Sequence, residues 1–115
     1  MDIYQSFIDT LVERTKSISS KLLIEEGIYS RAITDSKYND FVENLSIEQR
    51  ELLAQMFEQE REGAIHDVLS ELTFLVDCKD VTLCHKGEVL NTGYEGGMHQ
   101  DYIGRRSGEW EWPED

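Results

Sequence analysis

Hydrophobic and polar positions keep the period of an α-helix over residues 46–76, the longest such stretch in the chain. Apolar residues recur there at steps of three and four, which places them on one face of a helix. Ser46, followed three residues later by Gln49, is a capping-box pattern for the helix start. The stretch therefore predicts a long central helix with an apolar face made by Leu53, Phe57, Ala64, Val68, Leu72 and Leu75, widened by Leu52, Met56, Ile65, Leu69 and Val76.

Polar side chains form two rows along the flanks of this predicted helix: Glu60, Gly63, Asp67 and Glu71 in one, and Glu58, Glu62 and His66 in the other. One interpretation is a solvated acidic face in which His66 pairs with Glu62. The other is a polar pocket over Gly63, lined by Glu60, His66 and Asp67. Because glycine costs about 1 kcal/mol relative to alanine in a helix interior, Gly63 indicates a close neighbour or a bend.

The chain before residue 46 is also predicted to be helical. Helical spacing of apolar residues over residues 4–22 predicts a first helix that ends before Gly27, with an interruption allowed at residues 17–20. A shorter helix over residues 38–45, capped by Asp35 or Ser36, leads directly into the central helix.

After Asp80 the period changes from 3.6 to 2 residues, and Lys86-Gly87 predicts the tight turn of a β-hairpin. Residues 91–97 form a glycine-rich loop, and residues 102–106 are predicted as a third strand. The predicted fold class is α+β, with about three helices around a long central helix and a small antiparallel β-sheet in the C-terminal half. We predict one domain over residues 1–115, helical over 1–77, with the hairpin and a C-terminal loop or strand over 78–115.

Composition limits the kinds of partner. The chain has 24 acidic and 11 basic residues, for a net charge of −13, so binding of nucleic acid through phosphate contacts is not expected. No apolar run approaches the ~20 residues that span a bilayer, the N-terminus lacks a secretory pattern, and two cysteines imply no disulfide framework. We therefore expect a cytoplasmic protein with no nucleic-acid or membrane partner; self-association is left open.

Three segments resemble a small family of uncharacterised bacterial proteins. They read EREGAIHDVL at residues 60–69, HQDYIGR at residues 99–105 and GEWEWP at residues 108–113. The resemblance covers most of the chain and implies a bacterial source and a stand-alone small domain. It implies no activity, cofactor or catalytic residue.

Metal binding is one candidate chemistry. Glu62 and His66 lie one helical turn apart, so they could share a divalent ion. Further ligands would come from Glu58, or from His99 and Asp101 in the C-terminal part. No HExxH motif is present, however. We expect no cofactor, and a divalent metal is the alternative.

A zinc site is a weaker candidate. Its ligands would be Cys78, Cys84, His85 and His99. Their spacing matches no familiar zinc knuckle, and strand alternation directs Cys84 away from His85. The alternative is that the cysteines behave as small hydrophobic residues.

The alternative function is a metal-dependent or acid/base enzyme that uses a cluster of Glu, His and Asp on the central helix. Glu60 or Asp67 would serve as the base and His66 as the proton carrier, while Arg105 or Arg106 would bind an anionic substrate. The sequence contains no nucleophile elbow and no phosphate-binding glycine loop. We expect polar residues of the central helix and of the C-terminal part to meet over Gly63. They would form one cluster made of Glu60, Glu62, His66, Asp67, His99, Asp101 and Arg105.

The function that we predict in preference to an enzyme is a non-enzymatic interaction module. A small, acidic α+β domain without a nucleophile has the character of an inhibitor or immunity protein that binds a basic partner. Its acidic flank, with Trp110 and Trp112, would supply the contacts, because aromatic residues are enriched at interfaces. The alternative is that the tryptophans close the core, and we favour it for at least one of them.

Overall fold

Residues 2–92 and 96–113, which the computed structural model describes, form five α-helices and a two-stranded antiparallel sheet. The predicted class is confirmed, and the chain is mostly helical. Residues 93–95, within the predicted glycine-rich loop, lie outside the described part. In chain order the elements are α1 (Ile3–Arg14), α2 (Ile18–Glu25), a short 3-10 helix (Ile33–Asp35), α3 (Ser36–Glu43), α4 (Ile47–Cys78), β1 (Cys84–His85), β2 (Glu88–Val89) and α5 (Met98–Ser107).

The chain divides into two compact units, each with its own buried core. The terminal unit combines Met1–Thr15 with Glu62–Asp115, and the middle unit is Lys16–Arg61. Helix α4 belongs to both units, because the boundary falls within it. The prediction of a single domain stays a prediction. No helix of the described part combines the length and the apolar character needed to cross a lipid bilayer.

The start of α4 is the one that the sequence predicts. The Ser46 amide donates to Gln49 Oε1 at 2.9 Å, and the Gln49 amide donates to Ser46 Oγ at 3.1 Å. This reciprocal capping box satisfies two backbone donors that the helix itself leaves unpaired. The helix ends at Cys78, two residues beyond the predicted end.

The terminal unit is built on the packing of α1 against α5. Its core residues are Tyr4, Ile8, Leu69, Met98 and Tyr102. The third strand predicted over residues 102–106 is wrong, since these residues belong to α5. The buried residues of α5 recur at helical steps, and Gly108, with φ +77°, supplies the left-handed C-cap that ends the helix.

The middle unit contains α2, α3 and the first half of α4. The predicted first helix is interrupted, as the sequence allowed, and Ser17 caps α2 by accepting from the Ser20 amide at 3.1 Å. Gly27 has φ +68° and follows α2 as predicted. The core is formed by Leu23, Val42 and Ala54, with Phe57 and other partly buried residues around it.

The hairpin has the predicted turn. Cys84 pairs with Val89 and His85 pairs with Glu88. Lys86 and Gly87 have φ of +50° and +82°, which is the conformation of a two-residue hairpin turn that matches the twist of the strands.

Candidate functional site

Two histidines, one from α4 and one from the first turn of α5, lie side by side in the terminal unit. The ring centroids of His66 and His99 are 5.1 Å apart, in an edge-to-face arrangement. His66 Nδ1 lies 3.2 Å from Asp67 Oδ1, and the Asp67 side chain is 84% exposed. His99 Nδ1 is buried without a hydrogen-bond partner among the described residues. The pair therefore joins a partly exposed histidine to one whose Nδ1 is shielded from solvent.

Gly97 allows the start of α5 to lie close to α4. A Cβ added to Gly97 would lie 2.7 Å from Thr73 Cγ2 and 3.0 Å from His99 Cε1, and the φ of Gly97 is +112°. The Met98 amide then donates to Thr73 Oγ1 at 3.1 Å. Glycine is required here both by its backbone conformation and by the lack of space, and this placement brings His99 to His66.

Asp101 follows His99 by two residues in α5 and is 1% exposed. It accepts a hydrogen bond from the hydroxyl of Tyr4, which is also 1% exposed. A buried carboxylate needs such donors, because desolvation without a partner is costly. The contact joins α1 to α5, and the sequence analysis did not predict it.

A second chain of polar contacts surrounds Tyr102. Its hydroxyl lies 3.2 Å from Thr15 Oγ1 and accepts from Arg106 Nη1 at 3.0 Å. Arg106 Nε donates to Glu62 Oε2 at 3.1 Å. The Arg106 side chain is only 12% exposed, so the guanidinium lies inside the unit. Glu62 is thereby paired with Arg106, a contact between α4 and α5.

Arg105 and the two tryptophans form a third group. Arg105 makes a two-pronged ion pair with Asp9, at 2.8 and 3.3 Å, and the Trp112 indole donates to the same carboxylate at 3.0 Å. The Trp112 ring lies edge-on to Tyr4, at 5.9 Å, and to Trp110, at 4.8 Å. Both tryptophans are partly buried, and these contacts place them in the packing of the terminal unit.

The residues of the predicted cluster are thus distributed among different contacts. His66 meets His99, whereas Asp101, Glu62 and Arg105 each contact other residues. Glu60 belongs to the middle unit and is exposed. A Cβ added to Gly63 would meet no described atom within 4 Å, so within that part of the chain no close neighbour explains this glycine.

The described side chains offer no group of three or more histidine, cysteine or acidic residues that could hold a metal ion. Cys78 and Cys84, proposed as zinc ligands, are free and exposed. A shallow depression on the surface is lined by five residues of α1 alone, namely Ser6, Asp9, Thr10, Glu13 and Arg14. It therefore does not bring together chemical groups from different elements.

The first half of α4 presents an apolar pair to solvent. Leu52 and Met56 are 59% and 55% exposed, although the sequence analysis assigned both to the apolar core face. The core of the middle unit instead uses Ala54, with Leu53 and Phe57 packed around it. At about 100° per residue, the midpoint of the pair lies about 180° around the helix from Ala54.

Carboxylates lie one turn before and one turn after this pair. Glu48, Leu52, Met56 and Glu60 are each four residues apart and all exposed, so they form one i, i+4 ridge that winds about 120° around the helix. We call these four residues the α4 row. By the helical rise it is about 18 Å long.

Comparison with known proteins identifies a family. The family of unknown function DUF6547 matches the chain over residues 1–114. The chain belongs to this family. Neither the curated proteins nor the solved structures that were searched gave a match. The predicted membership of an uncharacterised family is confirmed, and the bacterial source stays a prediction.

Proposed function

We propose that the chain is a non-enzymatic interaction module that binds a basic partner protein through the α4 row. The observation that carries the proposal is the exposure of Leu52 and Met56 between two exposed carboxylates. Apolar side chains that stay exposed in a contiguous patch are typical of interaction sites. The acidic ends of the row fit a partner with basic residues.

The distribution of exposed apolar residues supports the middle unit as the binding part. Among the described residues, twelve large hydrophobic side chains are exposed, and eight belong to this unit. The sequence of the terminal unit holds fifteen acidic and five basic residues, against nine and six in the middle unit. We assign the terminal unit a share in attracting a basic partner, because net charge accelerates association through electrostatic steering.

The acid/base alternative has less support. Its proposed bases, Glu60 and Asp67, are exposed to solvent, whereas a catalytic carboxylate is usually tuned by burial or by close partners. The two free, exposed cysteines suit a reducing compartment, and we propose a cytoplasmic location.

We further propose that the module works without a bound metal. The thermal midpoint of chelator-stripped protein is therefore expected to stay unchanged when zinc, manganese, nickel or magnesium is added, because a ligand that does not bind the native state cannot stabilise it. A midpoint that rises with ion concentration in the wild type and not in His66→Ala would contradict this proposal and favour the metal alternative.

Partner capture tests the proposed function. The immobilised protein is expected to retain, from a lysate of its native cells, one basic protein in near-stoichiometric amount that is released by raising the salt concentration. An unrelated acidic protein of similar isoelectric point serves as the control. Equal capture by the control, or no captured partner, would contradict the proposal.

A further inference from the structure

We infer that the segment recognised by the α4 row is an amphipathic basic helix of the partner, with two apolar residues one turn apart and a lysine or arginine one turn beyond each. The inference rests on the proposed function and specifies the chemistry of its partner. It follows from the spacing, exposure and charge of the row.

The apolar pair fits a helical partner. Leu52 and Met56 are separated by one turn, about 6 Å along the axis, so they match the i, i+4 ridge of a second helix packed alongside. Methionine is flexible and polarisable, which suits a surface that must adapt to an incoming side chain. Recognition of amphipathic helices through such one-turn spacing is a recurrent mode of peptide binding.

The charges of the row favour a partner segment that is positively charged. Glu48 and Glu60 lie at the two ends of the row, and the side chains beside the row at positions 49, 55 and 59 are neutral glutamines. The basic residues of this stretch lie elsewhere on the helix. Arg50 donates to the backbone carbonyls of Val42 and Glu43 at the end of α3, and Arg61 lies about 160° around the helix from the midpoint of the row and about 100° from Glu60. The row therefore carries a negative charge at each end, and neither it nor the three glutamines beside it carry a positive charge.

The probe is a designed helical peptide with two leucines four residues apart, one lysine four residues before them and one four residues after. This pattern reads the same in both directions, so the peptide can bind parallel or antiparallel to α4. A matched peptide carries glutamate in place of both lysines. A calorimetric titration at physiological salt gives the affinity of the protein for each peptide.

The wild type is expected to prefer the lysine peptide by about tenfold, and the double variant Glu48→Lys/Glu60→Lys is expected to prefer the glutamate peptide by a similar factor. The control Glu71→Lys/Asp77→Lys makes the same change in net charge at exposed positions outside the row. It should keep the wild-type preference. The inference would be overturned if the variant with reversed charges in the row kept the wild-type preference, or if the control variant reversed the preference to the same extent.

Two further outcomes separate this inference from the proposed function. If neither peptide binds while a basic partner is still captured from lysate, the inference fails and the proposed function stands. If sedimentation shows self-association of the wild type that Leu52→Gln abolishes, a second copy of the chain occupies the row, and the inference is overturned. All of the substituted positions are exposed, so the variants are expected to fold, and far-UV circular dichroism checks this.

Discussion

Replacement of Trp112 by alanine is expected to lower the free energy of unfolding of the terminal unit by about 3 kcal/mol, at the lower end of the cost of removing a buried aromatic residue. The indole packs on Tyr4 and Trp110, lies under the Arg105 guanidinium at 5.6 Å, and donates to Asp9. Its removal loses apolar contacts and leaves the Asp9 carboxylate with one donor fewer.

Denaturant unfolding followed by far-UV circular dichroism measures this loss, and the fluorescence of Trp110 reports the same unit. The control is Val89→Ala, at a position in the same unit that is 65% exposed, for which a change within about 0.5 kcal/mol is expected. A Trp112→Ala protein of nearly wild-type stability that fails to capture the partner would instead identify Trp112 as an interface residue.

Replacement of Tyr4 by phenylalanine is expected to cost about 2 kcal/mol, the loss of a hydrogen bond to a buried acidic group. The substitution keeps the ring, which lies in the core, and removes only the hydroxyl that donates to Asp101. Both tryptophans of the chain belong to the terminal unit, so intrinsic fluorescence follows the unit in which the bond lies.

The matched control is Tyr38→Phe, the same change at a tyrosine that is 47% exposed, for which little loss is expected. A double-mutant cycle with Asp101→Asn then isolates the pair. We expect the two substitutions to be non-additive by more than about 0.5 kcal/mol, since residues in direct contact couple. Additive losses would contradict a direct contribution of this hydrogen bond to stability.

Local chemistry made much of the fold predictable. The capping box at Ser46, the stop at Gly27 and the turn at Lys86-Gly87 depend on residues adjacent in sequence, and all three are as predicted. The error over residues 102–106 arose from reading a short segment as a strand. Within α5, Met98, Asp101 and Tyr102 are the buried residues, and their steps of three and one are those of a helix face. Gly97 and Gly108 also mark its two ends.

The apolar face of α4 was overextended for a different reason. The hydrophobic period predicts one stripe along the whole helix, but the two halves of the helix contribute to different cores. Ala54 contributes to the core of the middle unit and Leu69 to that of the terminal unit. Residues that suit a single stripe, such as Leu52 and Val68, consequently remain exposed. Hydrophobic periodicity cannot distinguish an apolar residue that is buried from one that stays exposed, because it does not indicate where along the helix a packing partner ends.

The polar contacts were the least predictable part. Tyr4 and Asp101 are separated by 97 residues, and their pairing depends on how α1 packs on α5. From the sequence, Asp101 was assigned to the polar cluster, whereas residue 4 entered only through the apolar spacing of the first helix. Composition also gave no signal that the Asp9 carboxylate would accept from both Arg105 and the Trp112 indole. These interactions support a structural role for the buried polar groups of the terminal unit.

Capture of the basic partner by the double variant Leu52→Gln/Met56→Gln tests the central claim most directly. Both positions are exposed and glutamine is a good helix former, so the thermal midpoint should be unchanged. We predict that the variant no longer retains the partner bound by the wild type, under the same salt conditions and at equal loading. Capture at the wild-type level by a fully folded variant would contradict the assignment of the α4 row as the binding surface.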